Sequence, residues 1–169
     1  DDTVAISEHA TDFNWDEVTR GLRAGDQITL YDLLCGLLLK SGNDCGTAIA
    51  EYISGSEEKF ADLMNTEARS LGATGTHFVN PHGLHDENHY TTAYDLYLIF
   101  NECVKNETFM EIISMDSYTG TLTGSDGTVR NETWVPSNYY SNGTTEAPDG
   151  IRVFGGKTGT TDQAGCCVI

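Results

Sequence analysis

The chain has 169 residues, with 26 acidic against 9 basic side chains for a formal net charge of −17, and 38% of its residues are apolar. That length makes one domain rather than two, with enough apolar side chain for a packed core. The acidic balance excludes nucleic acid and anionic membrane surfaces as partners, because both are held by a cationic face.

Residues 1–8 alternate around Val4 and Ile6 and read as a strand or extended arm, followed by irregular chain around Phe13 and Trp15. The longest apolar run, residues 30–39, is too short to cross a membrane and carries Asp32, so it reads as a core helix. Its Leu30, Leu33, Leu34, Leu37 and Leu38 share one helical stripe, and Thr29 with Asp32 supplies a start signal. The helix breaks at Ser41-Gly42-Asn43, and a second begins at once with Cys45, Ala48, Ile49, Tyr52 and Ile53. A third runs from Ser56 through Phe60, Leu63, Met64 and Ala68 to a left-handed cap at Gly72.

A short strand is expected over residues 76–79, then a loop to residue 90 containing Pro81-His82-Gly83. A fourth helix starts at Thr92 with Asp95 and carries Leu96, Ile99, Phe100 and Cys103, and a helical turn follows near Phe109. Residues 118–134 change character to Thr, Gly and β-branched residues and read as a hairpin turned at Ser125-Asp126-Gly127. After a polar loop, residues 151–158 and 164–169 are expected as two strands joined by a tight turn. No basic and apolar leader opens the chain, so any secretion signal is expected upstream.

The five cysteines, Cys35, Cys45, Cys103, Cys166 and Cys167, have no Cys-x-x-Cys spacing. They suggest neither a disulfide framework nor a zinc ribbon and are read as buried thiols. His82, His85 and His89 lack the spacing of a helical zinc motif and are read as solvated loop residues, so neither a metal nor a cofactor is expected.

Two short motifs carry chemistry: Ser41-Gly42-Asn43 at a helix corner and Lys157-Thr158-Gly159 on a strand. An anionic ligand approaching so acidic a chain needs a local cation, and Lys157 is the best placed. With the surrounding runs Asn80-Pro81-His82-Gly83-Leu84, His89-Tyr90-Thr91-Thr92-Ala93-Tyr94-Asp95-Leu96 and Asp162 to Gly165, the sequence resembles the serine D-alanyl-D-alanine carboxypeptidases, the low-molecular-mass penicillin-binding proteins. The resemblance runs nearly end to end and implies an α+β fold. It also implies one partial domain over residues 1–169, with a helical lobe at about residues 29–115 and a β-rich part at about 116–169 holding part of the antiparallel sheet of the transpeptidase/β-lactamase-like fold.

The same resemblance implies roles. Ser41 relays a proton toward the leaving D-alanine amine, and Asn43 holds the substrate peptide group. Lys157 sets a cation beside the serines and the substrate carboxylate, and the Thr158 hydroxyl bonds that carboxylate. Gly159 leaves the strand bare, and the Thr160 N–H serves as an oxyanion donor. The implied ligands are peptidoglycan stem peptides ending in D-Ala-D-Ala and β-lactams, met on the outer side of the cytoplasmic membrane.

The family's nucleophile motif, Ser-x-x-Lys, precedes Ser-x-Asn, and no such motif lies before Ser41 here. The one present, Ser56-Glu57-Glu58-Lys59, reads as a helix N-cap with acidic residues at the positive end of the dipole. The chain is therefore expected to be a segment of an enzyme, inactive alone, able to pair an open sheet edge with another chain. The alternative is a non-catalytic extracytoplasmic module that binds wall peptide or a partner protein. A class A β-lactamase is disfavoured by the lack of a Glu-x-x-Leu-Asn motif.

Overall fold

The computed structural model describes residues 2–169. Strands β1 (Thr3–Ala5) and β2 (Gln27–Thr29) precede helices α1 (Leu30–Lys40), α2 (Asn43–Ser54), α3 (Glu57–Ser70), α4 (Ala93–Cys103) and α5 (Glu107–Ile113). Strands β3 (Tyr118–Thr123) and β4 (Val129–Trp134) follow, and then β5 (Thr158–Thr161) and β6 (Gly165–Val168). β1 to β4 form a four-stranded antiparallel sheet in chain order, and β5 and β6 a separate two-stranded one. The architecture is α+β, as the sequence implies.

The helix starts follow from local chemistry. The side chains of Thr29, Ser56, Thr92 and Asn106 each accept a hydrogen bond from the backbone N–H three residues on, satisfying a donor that has no partner inside the helix. Gly72 closes the end of α3 at φ +82, as its position after the last apolar residue predicts. β2 escapes the sequence reading because it is three residues long and its last residue, Thr29, doubles as the cap of α1.

One core lies between the four-stranded sheet and α1, α2 and α5, and includes Val4, Ile28, Leu33, Leu39, Cys45, Ile49, Ile112, Leu122 and Trp134. On β3, Tyr118, Gly120 and Leu122 face it while Thr119 and Thr121 face solvent, the period-two pattern of a half-buried strand. Trp134 stacks on Tyr118 at 6.1 Å and fills the space over Gly120, where a Cβ would meet the indole. α1 departs from the expected single stripe, because none of its residues is exposed and its most buried positions are Asp32, Leu33, Cys35, Gly36 and Leu39. A helix enclosed by neighbours on several sides places its apolar residues all round, so the leucines do not mark one face. Asp32 is buried at low cost because Tyr118 Oη donates to it at 2.6 Å and Thr29 Oγ1 at 2.8 Å.

Three further expectations are corrected. The segment at residues 76–79 forms only a single bridge, His77 to Tyr90. β5 begins at Thr158, where the strand was expected to end; the N–H and C=O of Lys157 already pair with Ile169, but residues 151–156 remain irregular. Cys35 and Cys45 are buried, whereas Cys103 is half-buried and Cys166 and Cys167 are exposed, because β6 presents both faces to solvent.

α1 and α2 approach closely at Gly36, where a Cβ would lie 2.8 Å from Cys45 Sγ and 3.5 Å from the Trp134 ring. Gly36→Val should therefore lower unfolding stability by about 1–3 kcal/mol, read from the urea midpoint at unchanged m-value.

Candidate active-site cleft

The corner between α1 and α2 is two residues long. Ser41 caps α1 in the left-handed conformation, at φ 54 and ψ 39, and is the only non-glycine with positive φ among the described residues. Gly42 follows because Arg20 crosses it so closely that a Cβ would stand 2.6 Å from Arg20 Cγ. Asn43 then opens α2, and its N–H donates to Val18 O at 2.8 Å. The adjoining Asp44, 1% exposed, takes the N–H groups of Arg20 at 2.8 Å and Leu22 at 3.2 Å on its carboxylate. The irregular segment before β2 is thus strapped to the corner by backbone donors on a buried anion, a strong arrangement.

Lys157 reaches this corner from the start of the β5–β6 hairpin. Its ammonium donates to Ser41 Oγ and, at 2.5 Å, to Thr158 O. An ammonium has three N–H donors, so one is left for a ligand. Burial pushes the Lys157 pKa down from 10.5. Thr158 Oγ1 lies 2.7 Å from Ser137 Oγ.

The ladder geometry orients the rest of β5. Lys157 exchanges both backbone bonds with Ile169, and Thr158, Gly159 and Thr160 stand opposite Val168, Cys167 and Cys166. In an antiparallel pair such exchanges alternate, so the N–H groups of Thr158 and Thr160 point away from β6. A Cβ on Gly159 would meet nothing within 4 Å, which leaves that stretch of strand open.

These residues converge on one cleft of about 940 Å³, lined by Ser41, Asn43, Ser137 and residues 157–163 on one side and by parts of residues 14–20 and 82–85 on the other. All six residues expected to act on a ligand are there: Ser41, Asn43, Lys157, Thr158 and Gly159 from the two motifs, and Thr160 beside them. Ser56 does not line it. Its side chain accepts from Lys59 N at 3.3 Å as the cap of α3.

Sequence reasoning missed three contributors. Residues 14–20 gave no signal beyond irregularity, although they form a wall. Ser137 belongs to no motif; only Pro136 before it marks a fixed backbone. The histidines are also less solvated than expected. His82 has a side chain 8% exposed, packs edge-on to Phe13 at 5.6 Å and stands 3.4 Å from the Glu57 carboxylate. This contact and the Thr47 hydroxyl hold the Glu57 pKa below the usual carboxylate value. His89 accepts from Val79 N at 3.2 Å, and burial pushes its pKa down, so of the three only His85 is exposed.

The family model of the D-alanyl-D-alanine carboxypeptidases, peptidase family S11, matches residues 1–169. The chain belongs to this family. It is 41% identical over 120 residues to D-alanyl-D-alanine carboxypeptidase DacF of Bacillus subtilis, a match covering 71% of this chain and 29% of that protein. It is 34% identical over 155 residues to the D-alanyl-D-alanine carboxypeptidase of Streptomyces strain K15, covering 88% of this chain and 51% of the relative. The crystal structure of the Streptomyces K15 DD-transpeptidase superposes with a TM-score of 0.88 at 29% identity, over 99% of this chain and 65% of that one. A D-alanyl-D-alanine carboxypeptidase from Mycobacterium tuberculosis matches with a TM-score of 0.80 at 29% identity, over 96% and 57%. The chain thus spans between under a third and about half of the length of these two curated relatives.

The left-handed Ser41 carries a testable strain. Ser41→Ala and Ser41→Gly both remove the hydroxyl that Lys157 bonds, but only glycine is at ease at positive φ. Chemical denaturation should show the glycine variant more stable than the alanine variant by about 1–2 kcal/mol.

Proposed function

We propose that this chain supplies the accessory part of a serine-type D-Ala-D-Ala carboxypeptidase site, acting on peptidoglycan stem peptides outside the cytoplasmic membrane and bound by β-lactams. The observation that carries the reading is the bond from Lys157 to Ser41, which joins the two motifs across 116 residues inside the cleft. In a chain of net charge −17, the ammonium offers a substrate carboxylate a local attraction strengthened by partial burial.

The geometry supports a role for each group. The substrate's terminal carboxylate meets the remaining Lys157 N–H and the Thr158 hydroxyl. The substrate backbone lies along the open edge of β5 as an added strand, which the bare Gly159 admits. The Thr160 N–H, turned away from β6, is an oxyanion donor for the tetrahedral intermediate. Ser41, bonded to the Lys157 ammonium, relays to the leaving D-alanine amine the proton that the nucleophile gives up to its base, donating its own hydroxyl proton as it accepts that one, and the Asn43 amide holds the acyl-side peptide group. The nucleophilic serine and its base lie outside this set, since Ser56 is committed to capping α3.

The complete gene product should release D-alanine from diacetyl-L-Lys-D-Ala-D-Ala, and Lys157→Ala should reduce kcat/KM at least tenfold, consistent with loss of a charge-assisted bond. Peptide binding without release would support the binding-module alternative instead. Residues 1–169 alone, incubated with benzylpenicillin, should show no added mass in an intact-mass measurement, and an adduct mapped to Ser56 would overturn its capping role.

A pH dependence follows from the depressed Lys157 pKa. The ammonium is the form that attracts carboxylate, and it is lost as pH rises through a value below 10.5. Turnover of the peptide should therefore fall on the alkaline side earlier than an ordinary lysine predicts. In Lys157→Arg, which keeps its charge, that component of the pH–rate profile should vanish.

A further inference from the structure

We infer that Ser137 is a positioning residue for carboxylate recognition: its hydroxyl donates to Thr158 Oγ1 and thereby aims the Thr158 proton at the ligand. The inference rests on the proposed carboxypeptidase reading and adds a residue outside both motifs.

Three observations carry it. Ser137 Oγ and Thr158 Oγ1 are 2.7 Å apart, and both residues line the cleft. A pair of hydroxyls has two arrangements; when Ser137 donates, the Thr158 proton is free for an incoming carboxylate and is polarised by the bond its oxygen accepts. The Ser137 backbone is also fixed independently of its side chain. Its N–H donates to Leu39 O at 3.1 Å, one of the carbonyls that the end of α1 leaves unpaired. On either side Pro136 and Asn138 are buried, with Asn142 Nδ2 donating to Pro136 O at 3.1 Å and Asn138 Oδ1 accepting from Tyr140 N at 2.9 Å. Finally, β5 shares no ladder with the four-stranded sheet. The Lys157–Ser41 bond holds the hairpin to the helix corner, and the Ser137–Thr158 bond fixes the direction of the Thr158 hydroxyl within it.

The test compares two substrates on the complete gene product: diacetyl-L-Lys-D-Ala-D-Ala and the same peptide ending in a C-terminal amide. Ser137→Ala should lower kcat/KM for the carboxylate peptide about fivefold, mainly through KM, and leave the amide peptide unchanged, as expected for one weakened hydrogen bond to a charged group. Ser137→Thr should restore the discrimination, and Ser137→Val, which has the same shape without the hydroxyl, should not. Equal losses on both peptides, or no loss on either, would overturn the positioning role. If the unmodified protein turns over neither peptide, the carboxypeptidase reading itself fails, an outcome visible before any variant is made.

Discussion

A half-buried ammonium bonded to a serine hydroxyl organises this molecule. Lys157 and Ser41 lie 116 residues apart in the chain, and their contact is what turns a helix corner and a hairpin into one cleft. The cost of drawing a cation out of water is moderated by the ammonium's two bonds, to Ser41 Oγ and Thr158 O. The surrounding excess of acidic side chains favours the charged form at long range without supplying a carboxylate to neutralise it in place. The cation therefore stays available to a ligand.

The corner is built to hold that contact. A left-handed serine is an uncommon way to end a helix, and the neighbouring interactions over-determine it. Ser41 N–H donates to Leu37 O, Gly42 N–H to Gly36 O, and the Asp44 carboxylate gathers the N–H groups of the segment that crosses Gly42. Strain of this sort persists where the surrounding packing fixes the backbone, and here it presents the serine oxygen to the lysine.

Much of the framework was legible in the sequence because it is local. Caps at Thr29, Ser56 and Thr92, the hairpin turn at Ser125-Asp126-Gly127 and the break at Ser41 all depend on residues within four positions of one another. The two motifs pointed to the side chains that meet in the cleft. What could not be read is non-local. α1 hides its buried face because it is packed all round, Asp44 finds its donors more than twenty residues upstream, and Ser137 acquires meaning only when Thr158 arrives beside it. Cys166 and Cys167 misled for a related reason, since an apolar strand is buried only if something covers it.

The separation of the two sheets has a mechanical consequence. A continuous sheet would resist any change in distance between its strands through every rung of the ladder. Here the hairpin that forms one lip of the cleft meets the helix corner and the Ser137 segment through side-chain bonds, Lys157 to Ser41 and Thr158 to Ser137, so the width of the cleft at that point is set by side chains and not by ladder rungs. Three hydroxyls and one amine hold that spacing where backbone pairing would otherwise have done so.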